Sequence, residues 1–136
     1  MGVIALDLDW FKKINDRAGH EAGDRVLVDV ARALATFSRQ GDVAARMGGE
    51  EFLLILHDTD VDGVLVAAER LRGLIAAVVV PGHGTSVTAS FGATVHDPQD
   101  PDVAAVLRRA DGAMYDAKRN GRNRVESRFV GSFALS

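Results

Sequence analysis

Asp7-Leu8-Asp9 sets two carboxylates at spacing two directly after a short aliphatic run, and Gly48-Gly49-Glu50-Glu51 sets two more after a glycine pair. Residues two apart share one face of a strand, so Asp7 and Asp9 would repel and shift each other's pKa unless a cation stood between them. A divalent ion resolves that repulsion, and hard oxygen donors without Cys or His beside them favour Mg²⁺ or Mn²⁺ over zinc. Positive charge gathers at Lys12-Lys13 and at Lys118, Arg119, Arg122 and Arg124, a supply suited to a small polyphosphate. The chemistry these residues point to is that of nucleotide phosphates. Each feature also has a plainer reading. Asp-x-Asp can be a solvated strand end, Gly48-Gly49 a hairpin turn, and the basic residues from Lys118 onward an offset to the negative end of a helix. Glycines without Cβ atoms let phosphates approach the backbone, but no Gly-Lys-Ser or Gly-Lys-Thr follows, which excludes a Walker A loop.

The elements that must position these groups follow from hydrophobic period. Val3 to Leu8 reads as a strand ending in acid. Val26, Leu27, Val30, Ala31, Leu34 and Phe37 recur at helical spacing, which predicts a helix from Asp24 to Ser38 with Gly23-Asp24 as its start and a loop from Phe11 to Gly23 before it. Val43 to Met47 and Phe52 to His57 read as a hairpin around the glycine pair. Asp58-Thr59-Asp60 can cap a second helix whose inward stripe is Val64, Leu65, Ala68, Leu71 and Ile75. From Val87 to Val95 apolar and small polar residues alternate, the pattern of a strand with one buried face. A third helix places Val103, Val106, Leu107, Ala110, Met114 and Ala117 inward and stops at Asn120-Gly121, and Arg124 to Val130 reads as an edge strand.

This order suits an α+β, ferredoxin-like βαββαβ core extended by a helix and an edge strand, with a mainly antiparallel sheet flanked by helices. If the first strand runs up, the glycine turn lies at its upper end beside Asp7, and the third helix rises to deliver Lys118 and Arg122 there.

A length of 136 residues predicts one domain over 1–136. Hydrophobic and charged fractions of 47% and 26% are those of an ordinary globular chain, which sets aside disordered and collagen-like classes. Absence of cysteine excludes disulfides, thiolate metal sites and Cys nucleophiles. The longest aliphatic run, Leu74 to Val80, is seven residues, against about 20 for a bilayer span. No signal peptide is legible, so a soluble, cytoplasmic protein is expected. A net charge of −3 argues against a nucleic-acid polymer as partner.

Asp7-Leu8-Asp9-Trp10-Phe11-Lys12-Lys13-Ile14-Asn15-Asp16, Gly19-His20 with Gly23-Asp24, Arg46-Met47-Gly48-Gly49-Glu50-Glu51-Phe52, Ala110-Asp111, and Tyr115-Asp116-Ala117-Lys118 with Gly121-Arg122-Asn123 closely resemble the GGDEF family of diguanylate cyclases. The match covers about residues 2 to 126 and leaves 127–136 as a tail. The resemblance implies a nucleotide-cyclase, polymerase-palm-like fold that condenses two GTP molecules into cyclic di-GMP across a homodimer, each domain holding one GTP. Carried over by position, Asp7 and Glu50 would ligate Mg²⁺ (or Mn²⁺) with the Leu8 carbonyl, and Glu51 would support that centre. Asn15 and Asp24 would read guanine, Lys12, Lys118 and Arg122 would bind phosphates, Phe11 would line the pocket, and Gly48 and Gly49 would admit the nucleotide. Arg39-Gln40-Gly41-Asp42 fits the family's Arg-x-x-Asp product-inhibition motif, with Arg70 assisting, at the opposite end of the fold; a loop salt bridge is its plainer reading. Trp10 and Met114 read as packing.

Family members usually carry a helix and an Asp-x-Leu-Thr segment before the first strand, and this chain starts at that strand, so a fragment of a longer signalling protein is expected. The alternative to an active cyclase is a catalytically silent domain that binds GTP or cyclic di-GMP. Intact Asp7, Glu50 and Glu51 favour the enzyme, and Asp24 disfavours a cyclase that uses adenine.

Overall fold

Alternation along the first strand builds two cores. In a computed structural model that describes residues 1–131, β1 (Gly2–Leu8) sends Ile4, Leu6 and Leu8 to one side of the sheet and Val3 and Ala5 to the other. The first set packs with α2 (His20–Phe37) and α3 (Val61–Ala76), the second with α4 (Val103–Arg119). Ile4, Leu6, Leu54 and Phe91 are fully buried, each such side chain stabilising the fold by about 1.5–3 kcal/mol of transfer free energy.

Among the described residues five strands line up in the order β2-β3-β1-β4-β5, where β2 is Val43–Gly48, β3 Glu51–Leu56, β4 Ala89–Val95 and β5 Arg124–Ser127. β1 lies antiparallel to both β3 and β4, and β5 joins β4 in parallel. The expected ferredoxin-like core with its added helix and edge strand is what forms. Asp60 caps α3 by accepting the Gly63 N–H at 2.8 Å, and Asn120 closes α4. Among the described residues no helix is long and apolar enough to cross a membrane.

Four expectations need correction. The stretch from Phe11 to Gly23 is not a loop: α1 (Phe11–Ala18) puts Phe11, Ile14 and Ala18 on the core at helical spacing, and Gly19, at φ 91, turns the chain into α2. The second helix therefore begins at His20, and Asp24 stands inside it rather than capping it. Val103 is 57% exposed because it opens α4 before the helix reaches the sheet. The last strand ends at Ser127 rather than running to Val130.

The fourth correction concerns β4, which is buried on both faces rather than one. Its small polar residues are satisfied inside the protein: Ser90 donates to Asp9 at 2.7 Å, and Thr94 accepts from Arg109 at 2.7 Å. At Gly92 a Cβ would run into the Ala110 carbonyl and the Met114 amide, so the backbone of α4 rests directly on this strand. Arg109 fastens the same edge, donating to both Asp100 oxygens at 2.7 and 2.9 Å and to the Val95 carbonyl at 2.7 Å.

Candidate functional site

Asp7 is the point on which this end of the sheet converges. It sits near the end of the central strand, opposite Glu51 of β3 and Ser90 of β4, and is 4% exposed. The next residue, Leu8, donates its N–H to the Glu50 carbonyl at 3.1 Å, which ties the glycine turn to β1. Lys118, in the last turn of α4, brings its ammonium to 2.8 Å from Asp7 Oδ2. Burial pushes the Asp7 carboxyl above its usual 3.8, Lys118 opposes that by hydrogen bond and charge, and Glu50 and Glu51 add to the rise.

The turn between β2 and β3 is open. Gly48 and Gly49 have φ of 142 and 52, and a Cβ on either would meet nothing within 4 Å. The glycines are therefore required by conformation rather than by packing. A register shift between Arg46 and Gly48 and a 2.8 Å bond from Arg46 Nε to the Gly49 carbonyl hold the turn's shape.

On the other flank, Phe11 and Asn15 of α1 lie against Gly23 of α2. A Cβ there would stand in the place of the Asn15 amide oxygen and 3.4 Å from Phe11 Cζ. Phe11 is buried and Asn15 half-buried, while Asp24, next to Gly23 in α2, is exposed. Lys12 is exposed in the first turn of α1. Arg122 follows Gly121 in left-handed backbone (φ 62), its guanidinium 4.1 Å from the centre of the Trp10 ring.

The structure thus gathers Asp7, Glu50, Glu51, Gly48, Gly49 and Lys118 at one end of the sheet. Asp9 does not join Asp7 as a second ligand. Its oxygens are taken by Ser90 and Thr88 hydroxyls at 2.7 and 2.8 Å and by the Asn123 N–H at 2.9 Å. Trp10 is not packing, being 53% exposed, whereas Met114 is buried at 6%.

Among the described residues no three His, Cys, Asp or Glu groups form a ready metal cage. What stands there is a smaller set of hard oxygens, the Asp7 carboxylate with Glu50 and Glu51 near enough to raise its pKa. Asp7, made costly to ionise by burial and acidic neighbours, has already drawn a cation in Lys118. That donor set fits Mg²⁺, which keeps waters and shares ligands with substrate phosphates.

At the far end, the Asp42 side chain is fully buried and accepts from the Arg39 N–H at 2.9 Å, Arg39 Nε at 3.4 Å and the His57 N–H at 2.8 Å. Burial raises the Asp42 carboxyl, but these hydrogen bonds outweigh it and leave it below 3.8. Asp42 therefore orients Arg39, whose outer nitrogen donates to the His57 carbonyl at 3.1 Å and the Thr59 hydroxyl at 3.2 Å. Arg39 and Arg70 line one groove with Thr59, Asp62 and Val66.

Sequence reasoning missed the tasks of Asp9, Gly23 and Gly92. A signal existed for Asp9 in Thr88 and Ser90, hydroxyls two apart on a strand that needed an acceptor. Gly23 and Gly92 answer to close approach by another helix, α1 at Gly23 and α4 at Gly92, which the pattern of their own element does not encode.

The family described as "Diguanylate cyclase, GGDEF domain" matches residues 1–124. Diguanylate cyclase A of Treponema denticola is 39% identical over 127 residues, 92% of this chain and 34% of that protein. The active GGEEF domain of a diguanylate cyclase from Vibrio cholerae superposes with a TM-score of 0.88 at 36% identity, over 93% of this chain and 81% of that one. The GGDEF domain of DgcB from Caulobacter crescentus, in complex with c-di-GMP, gives 0.86 at 33% identity, over 93% and 74%. The chain spans about a third of the length of the curated Treponema relative.

Proposed function

The chain belongs to the GGDEF family of diguanylate cyclases, and from that premise we propose that it joins two GTP molecules into cyclic di-GMP, two copies of the domain facing each other with one GTP apiece. The observation that carries this reading is the meeting of Asp7, Glu50 and Lys118 beside an open glycine turn.

In each half-reaction the 3′-hydroxyl of one GTP gives up its proton to water as its oxygen bonds to the α-phosphorus of the other, the bond from that phosphorus to the oxygen bridging the β-phosphate breaks, and pyrophosphate leaves. Two such steps close the ring. Asp7 and Glu50, with the Leu8 carbonyl, would hold Mg²⁺ or Mn²⁺, and Glu51 would add negative charge behind them. An ion held by those residues would supply a Lewis acid for the attacked phosphate and would lower the pKa of the attacking hydroxyl. Lys118 exchanges Asp7 for phosphate oxygens, and Arg122 and Lys12 neutralise the remaining charge of the leaving pyrophosphate. Asn15 and Asp24 take the guanine edge. The carboxylate accepts from the ring N–H and exocyclic amine, a donor pair adenine lacks, while Phe11 packs beneath. Gly48 and Gly49 leave room for the nucleotide.

Arg39 and Arg70 would bind cyclic di-GMP as an inhibitor in the groove they share, with Asp42 as the group that aims Arg39. The test is incubation of purified protein with GTP and Mg²⁺ over a wide range of protein concentration, with Glu50→Gln as control. Cyclic di-GMP formed faster than linearly with protein, and absent in the variant, is the expected result. GTP binding without product in the unaltered chain would sink the catalytic reading in favour of a silent receptor.

A further inference from the structure

Trp10 is the only tryptophan in the chain, and neither the core nor the proposed chemistry uses it. Its ring is 53% exposed, yet its backbone is held at φ 59 and ψ 27. Left-handed backbone is a genuine outlier for so bulky a residue, and such strain persists where surrounding structure enforces it. Here the enforcement is visible. Asp9, the preceding residue, donates its N–H to the Thr88 carbonyl at 2.8 Å, and its carboxylate accepts the Asn123 N–H at 2.9 Å. Arg122 and Asn123 are also left-handed, with φ of 62 and 45. Two strained segments, far apart in sequence, are thus pinned together, and the product is a stack: the Arg122 guanidinium lies 4.1 Å from the Trp10 ring centre and the Lys13 ammonium 4.4 Å from it.

We propose that Trp10 is a positioning residue for the phosphates of the substrate: its ring holds the Arg122 guanidinium in place. This rests on the reading that Arg122 binds the phosphates of GTP. An unrestrained arginine must freeze a long side chain when it meets a phosphate, and a ring that has already fixed it removes much of that entropic cost. The two contacts do not compete. Indole meets the guanidinium by its flat face, whereas phosphate oxygens take the N–H donors at its edge. Lys13 and Arg122 also repel each other across one ring, a repulsion that a bound polyphosphate relieves.

The test measures binding of the α,β-methylene analogue of GTP, which cannot release pyrophosphate, and of GMP, which lacks the outer phosphates. Trp10→Ala should weaken the analogue between about twofold and thirtyfold, the range of a cation–π contact, and leave GMP unchanged. Trp10→Phe should recover most of the loss. Trp10→Ala combined with Arg122→Ala should bind no worse than Arg122→Ala alone. Penalties that multiply in the double variant, or equal losses for GMP, would overturn the proposal. Because this is the single tryptophan, its emission reads the stack directly, and Arg122→Ala must shift it; an unchanged spectrum also overturns the proposal. An Arg122→Ala protein that binds the analogue normally would remove the phosphate reading and the task of Trp10 with it. Weak binding in Arg122→Ala beside normal binding in Trp10→Ala would remove the positioning role alone.

Discussion

The ammonium of Lys118 stands 2.8 Å from a carboxylate oxygen of Asp7, a buried acid at the end of the central strand. The pair holds the site together without substrate, and it carries an electrostatic debt. Burial and the charges of Glu50 and Glu51 keep the Asp7 carboxyl above its usual value despite Lys118.

That debt sets a sign. A carboxyl whose folded pKa is raised favours the fold when protonated, and this contribution is lost as pH rises through the folded pKa. Asp7→Asn should therefore raise the melting temperature at pH 8 while abolishing turnover, and the gap from wild type should close as pH falls toward 3.8, the ordinary value for this group. A variant less stable than wild type at pH 8 would show that the Lys118 contact outweighs burial.

Asp100 has the opposite sign. The Arg109 hydrogen bond, followed by the Asp97 N–H, holds its carboxyl down at about 2. The stability it confers is present above the unfolded value of 3.8 and fades as pH drops through about 2. Asp100→Asn should lower the melting temperature at pH 7, with a difference that shrinks in acid. A constant difference across pH would point to lost geometry instead of lost charge.

Gly23→Ala isolates the seat of Asn15. Alanine is favoured over glycine inside a helix by about 1 kcal/mol, and the obstacle is the end of one side chain, so stability should hold or rise. Displacing the Asn15 amide should nevertheless weaken GTP binding about tenfold, the scale of one lost hydrogen bond to a buried partner. Titration with GTP and chemical denaturation, run together, check both halves; unchanged affinity would detach Asn15 from guanine.

Gly92→Ala meets backbone instead. A methyl group there must lift α4 off β4, and overpacking of this kind costs about 1–3 kcal/mol. Because α4 carries Lys118, turnover should fall as well as stability. Urea denaturation beside the cyclase assay would expose a mistake if activity survived a measured loss of stability intact.

Metal dependence should run through the same acids. Mg²⁺ should raise the melting temperature of the wild type bound to the uncleavable GTP analogue and should leave the Glu50→Gln protein unmoved. Equal shifts would place the ion on the phosphates alone.

Periodicity made most of this architecture legible. The stripe of α3 shows as Val64, Ala68, Leu71 and Ile75, and the glycine pair marks the hairpin where it occurs. What stayed hidden depends on partners far along the chain. β4 looked half-exposed because Ser90 and Thr94 are polar, yet Asp9 and Arg109 satisfy both inside the protein. The α1 segment looked like a loop because only Phe11, Ile14 and Ala18 of its residues face the core. Asp7, Glu50 and Lys118 were readable as a group through topology and through the family motifs, whereas the exposed stack on Trp10 had no sequence signal.

The bonds of Asp9 also fix an order of events. Its partners lie 79, 81 and 114 residues ahead of it, and contacts so distant form late because loop closure must come first. A growing chain can assemble the α2 and α3 side of the sheet long before Asn123 exists. The end of the molecule that would hold nucleotide should therefore be finished last, and hydrogen exchange during refolding should find the amide of Asn123 among the last to be protected.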